Sequence, residues 1–367
     1  MFMFCVSALV VQLAWAAPPA ATTASAPAPL PLSDRLLTYR DEKGKTKPVK
    51  TAADWAKRRA QILAGMQEVM GPLPDRSKLP ALDIRITEET KEEGYTRYKL
   101  TFAAEGQDRI PAYLLVPDGV DAAHKAPAMI ALHQTTAQGK DEPVGLGVKT
   151  NLRYGLELAQ RGYVVLAPDY PSFGDYQYDF LADDYESGSM KGIFNHMRCV
   201  DLLSSREDVD ATRIGVIGHS LGGHNAIFVG AFDERLKVVV TSSGWTPFHD
   251  YYGGKLLGWT SDRYMPRIKE VYELDPDRVP FQMEEAVAAI APRAFFSNSP
   301  LNDHNFAVEG VRKAAAVIQP VYNLLGAPDM FQVVYPDCGH DFPPEVRRAA
   351  YAFIDRVLKH TPRQDVP

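Results

Sequence analysis

From Pro127 onward, the sequence contains six short and continuous apolar runs, which are separated by segments of helix length. Continuous apolar runs suit strands that are buried on both faces of a parallel sheet. Strands that alternate with helices in this way favour an α/β fold, with a mostly parallel central sheet and helices on both faces. The predicted strands comprise residues 129–132, 163–166, 214–217, 238–240, 294–296 and 333–335.

The region before this pattern has a different character. Thr51 can cap a helix whose apolar residues share one face, and Gly71 with Pro72 can end it. We then expect N-terminal antiparallel strands at residues 82–86, 98–102 and 110–116, two of which alternate apolar and polar side chains. Helices are predicted at residues 152–160, 190–205, 224–232, 284–290, 307–325 and 345–359.

Composition limits the classes of protein to which the chain can belong. Its 367 residues are 46% hydrophobic and 23% charged, which is typical of a soluble globular protein with a full core. Forty Lys and Arg against 46 Asp and Glu leave a charge of −6, and no basic block indicates a nucleic-acid partner. The three cysteines, Cys5, Cys199 and Cys338, exclude a disulfide-dense scaffold and show no zinc-site spacing. A disulfide between Cys199 and Cys338 stays open.

The N-terminal segment predicts export. Residues Phe2 to Ala17 form an apolar run that ends in small residues, as in a secretory signal peptide. A membrane anchor is the alternative, but a helix of this length spans only about 24 Å of a ~30 Å hydrocarbon core. We therefore expect a periplasmic or secreted protein without stable membrane association after signal removal. The predicted divisions are a signal peptide (1–17), an Ala/Pro-rich linker (18–31) and a single domain (32–362) with a helical extension at 32–80.

The strongest chemical motif is Gly218-His219-Ser220-Leu221-Gly222, which matches G-x-S-x-G. In this motif, a sharp turn between a strand and a helix exposes the serine as a nucleophile. The predicted strand 214–217 precedes the motif and a predicted helix follows it. The alternative is a glycine-rich nucleotide-binding turn, but its G-x-G-x-x-G pattern is absent. We therefore predict Ser220 as a catalytic nucleophile.

A serine nucleophile needs a base, and the base needs an acid that orients it. In the fold that carries this motif, the order along the chain is serine, acid, histidine. Asp303 follows the predicted strand 294–296 and His340 follows the strand 333–335, so we predict them as the acid and the base. The alternative acid is Asp250, the first carboxylate after the strand 238–240.

An oxyanion that forms during acyl transfer needs two backbone N–H donors. The N–H group of Leu221 is one candidate because it directly follows the nucleophile. The loop after the strand 129–132 should supply the other, and there we choose Gln134. His133 is predicted to be a structural hydrogen-bonding residue, and His219 and His224 to pack or hydrogen-bond around the motif.

The chain resembles α/β-hydrolases of the dienelactone hydrolase and acetyl xylan esterase-like group, which grades into prolyl-oligopeptidase-type hydrolases. The resemblance covers about residues 80–360 and rests on four segments. It implies an α/β-hydrolase fold and a Ser-His-Asp ester hydrolase that needs no metal or organic cofactor. Glucuronoyl esterases are similar in architecture but typically carry Arg after the serine, where this chain has Leu221. The four segments are Gly218–Gly223, Asp169–Gly174, Ala291–Arg293 and Gly339–Phe342.

An aromatic insertion at residues 244–283 is expected to form a lid over the pocket. Trp245, Trp259 and Tyr264 are candidates for substrate binding, because aromatic rings stack on sugars and phenolic groups. Alternatively, these rings pack the insertion's own small core. We predict an exported serine esterase that acts on a small-molecule or polysaccharide ester, with an acetyl, feruloyl or glucuronoyl group. A serine peptidase and a noncatalytic binding protein of the same fold are the alternatives.

Overall fold

The structure is a computed structural model that describes residues 35–363. The predicted signal peptide (1–17) and linker (18–31) lie outside the described residues. Within the described part, no helix is both long enough and apolar enough to cross a membrane.

A nine-stranded sheet forms the centre of the fold, in the order β11-β10-β9-β8-β6-β7-β5-β4-β3. Neighbouring strands are parallel from β11 through to β7, whereas β5, β4 and β3 continue the sheet in antiparallel fashion. This is the predicted α/β-hydrolase fold. The strands of the sheet are β3 (Arg85–Glu92), β4 (Tyr95–Ala103), β5 (Arg109–Pro117), β6 (Ala126–Leu132), β7 (Val164–Pro168), β8 (Val209–His219), β9 (Leu236–Ser242), β10 (Ala294–Asn298) and β11 (Phe331–Val334).

Helices cover both faces of the sheet, as predicted. The buried apolar side chains of the sheet alternate between two cores: in β6, Ile130 packs into one and Met129 into the other. The first core includes α1, α3, α4, α6 and α7, and the second includes α2 and α8. The helices are α1 (Ala52–Met70), α2 (Tyr154–Gln160), α3 (Gly188–Ser205), α4 (Leu221–Phe232), α5 (Arg267–Glu270), α6 (Met283–Ala288), α7 (Val308–Leu324) and α8 (Pro344–Leu358).

Helix α1 shows why these residues form these elements. Its cap is Thr51, whose hydroxyl accepts a hydrogen bond from the Asp54 N–H at 3.1 Å, while the Asp54 carboxylate accepts one from the Thr51 N–H. This reciprocal pair satisfies two of the N–H groups that every helix start leaves free. The helix ends at Gly71, which has a φ of +91°. Both predicted ends of this helix are confirmed.

Two features of the N-terminal half were not predicted from the sequence. A separate hairpin of β1 (Thr38–Arg40) and β2 (Thr46–Pro48) precedes α1. In addition, Ile86 of β3 is 57% exposed, because β3 is the last strand at its edge of the sheet. The hairpin strands are three residues each, too short for a strong pattern of their own, and the strand predicted at residues 82–86 lies at Arg85–Glu92.

The two described cysteines are both free thiols. Cys199 is buried in α3, and Cys338 lies in the loop after β11. The disulfide that the sequence left open is therefore not formed in the structure.

Candidate active site

Ser220 is the single residue between the end of β8 and the start of α4, and its φ and ψ are +55° and −114°. A non-glycine residue rarely adopts a positive φ, and such strain costs on the order of 1–3 kcal/mol. Backbone hydrogen bonds hold the turn: the Ser220 N–H donates to the Ser242 carbonyl at 2.8 Å, and the His224 N–H donates to the Ser220 carbonyl at 3.1 Å. The sharp turn that the motif predicts is therefore present.

The motif's glycines allow this turn because a side chain at either position would collide with backbone. A β-carbon on Gly218 would lie 2.2 Å from the Gly222 carbonyl oxygen. A β-carbon on Gly222 would lie 2.0 Å from the carbonyl oxygen of Leu132, at the end of β6. The first turn of α4 thus packs directly on the strand that leads into the loop with Gln134.

Asp303 and His340 come together from the loops after β10 and β11. His340 Nδ1 lies 3.0 Å from Oδ1 and 2.9 Å from Oδ2 of Asp303, whose carboxylate is almost fully buried. The N–H groups of Asn305 and Phe306 also donate to Asp303 Oδ1, at 2.8 and 3.2 Å. Burial raises the pKa of Asp303, but the hydrogen bond and charge of His340 outweigh it, and the pKa is lowered overall. Asp303 is thus held as a carboxylate beside the imidazole.

Asp250, the alternative acid, lies elsewhere. Its carboxylate pairs with Lys313 at 3.1 Å, whereas the acid on His340 Nδ1 is Asp303. The choice of Asp303 over Asp250 agrees with this geometry.

The ring of His340 lies next to the Ser220 turn. Its centroid is 4.8 Å from that of His219, which directly precedes Ser220 in the chain. The ring of Phe306 also stacks on that of His340, with the two centroids 6.1 Å apart. Phe306 and Ser220 line the same cavity. Because Asp303 occupies Nδ1, the remaining ring nitrogen of His340 is the one available to a serine proton.

The candidate oxyanion donors lie on two elements that contact each other, Leu221 at the start of α4 and Gln134 in the loop after β6; of the two, Leu221 lines the cavity. Leu221 is the first residue of α4, so its N–H has no partner within the helix. Gln134 is buried, and its carbonyl accepts a hydrogen bond from His133 Nδ1 at 2.5 Å. His133 Nε2 in turn accepts the Tyr170 N–H at 2.9 Å, and burial lowers the pKa of His133 to about 4. His133 is thus a neutral residue that braces this loop, as predicted.

A cavity of about 150 Å³ opens beside Ser220. Trp259 and Tyr264 of the insertion line this cavity together with Ser220. The residues that line it are Thr135, Ser220, Leu221, His224, Tyr251, Gly258, Trp259, Tyr264, Asn305 and Phe306. A larger groove of about 680 Å³ lies at the β1–β2 hairpin and contains none of the three predicted triad residues.

The sequence profile of the Prolyl oligopeptidase family matches residues 151–361, which include Ser220, Asp303 and His340. The chain belongs to the prolyl oligopeptidase family. A curated relative, the hydrolase YtaP of Bacillus subtilis, is 29% identical over 319 residues, which cover 83% of this chain and 99% of the relative. The 4-O-methyl-glucuronoyl methylesterase 1 of Wolfiporia cocos is 22% identical over 84% of this chain and 78% of its own length.

Among solved structures, a glucuronoyl esterase from Solibacter usitatus superposes with a TM-score of 0.68 at 21% identity. The match covers 90% of this chain and 98% of that one. At this level of identity the likeness supports the fold alone.

Of the three predicted substrate-binding residues of the insertion, Trp259 and Tyr264 line the cavity, whereas Trp245 does not. Trp245 is 1% exposed, and its Nε1–H donates to Ser297 Oγ at 2.9 Å while its ring packs edge-on against Phe295. The prediction of a substrate contact for Trp245 is therefore corrected. Trp245 lies three residues after the end of β9, and its indole N–H has a hydrogen-bond partner on β10 within the core.

A network of buried hydrogen bonds holds the loop of this hydrolase that contains His340. His219 Nδ1 is hydrogen-bonded to Ser242 Oγ at 2.9 Å, and Asn298 Nδ2 donates both to Ser242 Oγ and to the Asp341 carbonyl, each at 2.8 Å. Burial lowers the pKa of His219 well below its usual range, so the ring stays neutral. The network connects the ends of β8, β9 and β10 to the residue after His340. His219 therefore hydrogen-bonds around the motif, as predicted.

Sequence reasoning missed several residues that line the cavity. Thr135 follows the predicted donor Gln134, and Asn305 and Phe306 follow the predicted acid within three positions. Their closeness to those two residues was the available signal. Among residues 35–363, no group of three or more His, Cys, Asp or Glu side chains is arranged to hold a metal ion.

Proposed function

We propose that this protein is a serine esterase that hydrolyses carboxylic esters of carbohydrates through an acyl-enzyme intermediate. The observation that carries the proposal is the position of the Ser220 turn, beside the hydrogen-bonded His340–Asp303 pair, at a cavity without Asp, Glu, Lys or Arg in its lining. A neutral, partly aromatic lining suits a neutral acyl or sugar group better than a charged peptide terminus.

In the first step, Ser220 Oγ bonds to the ester carbonyl carbon while its proton passes to His340. The carbonyl oxygen becomes an oxyanion, which the N–H groups of Leu221 and Gln134 stabilise. Asp303 accepts the Nδ1–H and stabilises the imidazolium. The bond to the leaving alcohol then breaks, the alcohol takes the proton from His340, and an acyl group stays on Ser220.

In the second step, a water oxygen attacks the acyl carbon and its proton passes to His340. The bond between the acyl carbon and Ser220 Oγ breaks, and Ser220 recovers that proton. The carboxylic acid leaves, and the enzyme returns to its starting state without a net change in protons on the triad.

A carbohydrate substrate is supported by two observations. Tyr251, Trp259 and Tyr264 give the cavity aromatic walls, on which the C–H faces of sugars pack. Three relatives carry carbohydrate esterase activities in their names, two 4-O-methyl-glucuronoyl methylesterases and the carbohydrate esterase MZ0003. The acetyl, feruloyl and glucuronoyl esters are the members of this class to test.

The test is a substrate panel for the purified protein: p-nitrophenyl acetate, acetylated xylo-oligosaccharides, feruloyl and glucuronoyl esters, and peptide p-nitroanilides. We expect turnover of esters, highest for one of the carbohydrate esters, and no release of p-nitroaniline. Faster cleavage of the anilides than of any ester would establish a peptidase instead, as the family's name suggests. Loss of turnover in Ser220→Ala shows that the measured activity belongs to this site.

We also propose that the enzyme acts outside the cytoplasm. The support is the apolar segment Phe2–Ala17 with its small-residue end, which precedes an Ala/Pro-rich stretch. Mass spectrometry of the protein from the periplasm of an expressing bacterium should find a mature N-terminus near Pro18. Recovery of the protein only in the cytosol, with residues 2–17 still attached, would contradict this proposal.

A further inference from the structure

His224 lies one helical turn after Ser220, and its imidazole lines the cavity beside the nucleophile. The residue is only 4% exposed, yet neither ring nitrogen has a hydrogen-bond partner in the structure. A buried polar atom without a partner costs about 1–3 kcal/mol, and folded proteins contain few of them. Two such atoms on one side chain at the active site call for an explanation.

Trp259 of the insertion is also a buried side chain at this cavity with a nitrogen atom that lacks a hydrogen-bond partner. Its ring is 4.9 Å from that of His224, it is 3% exposed, and its Nε1–H also lacks a partner. Both side chains line the same cavity. Three nitrogen atoms without partners thus lie at this cavity, two on His224 of α4 and one on Trp259 of the insertion.

The surroundings of His224 exclude a charged partner within the protein. Its ring packs against Trp259, Tyr264 and Phe228 at centroid distances of 4.9 to 5.7 Å. Burial alone lowers the pKa of His224 to about 3, so the imidazole is neutral at working pH. A neutral imidazole offers one N–H donor and one acceptor, and the indole of Trp259 offers a second donor. This donor and acceptor set matches hydroxyl groups, which both donate and accept.

We propose that His224 is a specificity-determining residue that hydrogen-bonds a hydroxyl group of the sugar whose ester Ser220 attacks. Trp259 Nε1–H supplies a second hydrogen bond to the same sugar. The proposal rests on the proposed carbohydrate esterase function and names the side chains that recognise its substrate.

The spacing is compatible with one sugar unit. Four residues of α-helix rise about 6 Å, so His224 stands within reach of a hydroxyl near the ester-bearing carbon. The 150 Å³ of the cavity has room for about one six-membered ring. The ligand is a neutral pyranose ester, because the lining has no cation for a carboxylate.

The experiment compares the wild-type enzyme with His224→Phe, which keeps an aromatic ring but removes both nitrogens. The measurement is the ratio of kcat/KM for an acetylated or glucuronoyl sugar ester to kcat/KM for p-nitrophenyl acetate. We expect this ratio to fall about 10- to 100-fold, the effect of one or two hydrogen bonds to a buried neutral group. His224→Gln, which can donate and accept, should recover part of the ratio. The matched control is His124→Phe at an exposed histidine, which should leave the ratio unchanged.

A structural role for His224 makes the opposite prediction. If the ring only supports the fold, His224→Phe lowers both kcat/KM values equally, the ratio stays constant, and the proposal is overturned. If the ring recognises substrate, Phe removes two buried atoms without partners, so the Tm should not fall. Calorimetry on Ser220→Ala adds a readout without turnover: adding His224→Phe should weaken sugar-ester binding about tenfold or more.

The two proposals fail in different ways. Ester turnover that depends on Ser220, without any preference for sugar esters, overturns the role of His224 and leaves ester hydrolysis intact. Absence of Ser220-dependent ester turnover overturns the proposed function itself.

Discussion

The carboxyl edge of the sheet and the insertion at residues 244–283 form two sides of the same cavity but are held in different ways. At the edge, polar groups make directed hydrogen bonds, as in the chain from His219 through Ser242 and Asn298 to the Asp341 carbonyl. In the insertion, aromatic rings pack against one another: the ring centroid of Trp259 lies 5.5 Å from that of Tyr251 and 5.8 Å from that of Phe248.

This difference separates the chemistry from the recognition of substrate. Hydrogen bonds specify direction, which proton transfer requires, and a network with one missing partner is costly. Apolar packing specifies volume and tolerates replacement by side chains of similar size. Substitutions in the predicted triad should therefore abolish turnover, whereas those in the insertion should shift the choice of substrate.

The largest effect is expected at the nucleophile. Ser220→Ala removes the atom that bonds to the acyl group in the proposed mechanism, so turnover of any ester should fall by about 10⁴-fold or more. Labelling by a fluorophosphonate should disappear, and the Tm should change little because the hydroxyl has no packing role. Labelling that persists on another serine would place the chemistry elsewhere in the molecule.

The next largest effect tests the acid. Asp303→Asn replaces the acceptor that orients His340, and by analogy with the chymotrypsin-type triad turnover should fall about 10⁴-fold. Asp250→Asn is the matched control and should be mild, because Asp250 pairs with Lys313 of α7 and not with His340. Steady-state kinetics of both variants on one ester decides the point; a reversed pair of results would assign the acid to the insertion.

These two predictions concern residues that were selected from the sequence alone. The selection was possible because it depended on their order along the chain and on the strands that precede them. Ser220, Asp303 and His340 each follow a continuous apolar run, and parallel strands carry such positions to a common edge. The cavity lining could not be predicted in the same way. Trp245 and Trp259 both lie in the insertion, yet Trp245 hydrogen-bonds to Ser297 in the core and Trp259 lines the cavity. Long-range packing decides between these two positions, and the local sequence does not show it.

A third prediction concerns stability just beyond the insertion, in α6. Glu284 is buried without a hydrogen-bond partner, and burial, followed by the charge of Glu285, raises its pKa from 4.5 to about 8. Between these two pH values the folded state holds a proton that the unfolded chain releases, so stability falls as pH rises through this window. Glu284→Gln should therefore be more stable than wild type at pH 9, by on the order of a few kcal/mol.

The difference should vanish below about pH 4.5, where Glu284 is protonated in both states. Thermal unfolding of the variant and wild type at pH 4, 7 and 9 measures it. Glu93→Gln, at an exposed carboxylate, serves as the control. A constant difference between Glu284→Gln and wild type at all three pH values would refute the linkage.

The smallest effect is expected where the insertion meets the acid loop. The Tyr252 hydroxyl donates to Asn305 Oδ1 at 2.6 Å, and Tyr252→Phe removes this bond while keeping the ring. An exposed hydrogen bond of this kind contributes about 0.5–1.5 kcal/mol, so kcat/KM for the preferred ester should fall about three- to tenfold. A loss as large as that of Asp303→Asn would mean that the insertion takes part in the chemistry.

The backbone N–H groups that hold Asp303 belong to Asn305 and Phe306, and both residues also line the cavity. In the proposed mechanism, a substrate that contacts this wall therefore also contacts the peptide units that hold the acid of the triad. We expect substrate recognition and turnover to be linked through these two adjacent residues. Poorly fitting esters should consequently be processed slowly even at saturation, so that discrimination between substrates falls on kcat as well as on KM.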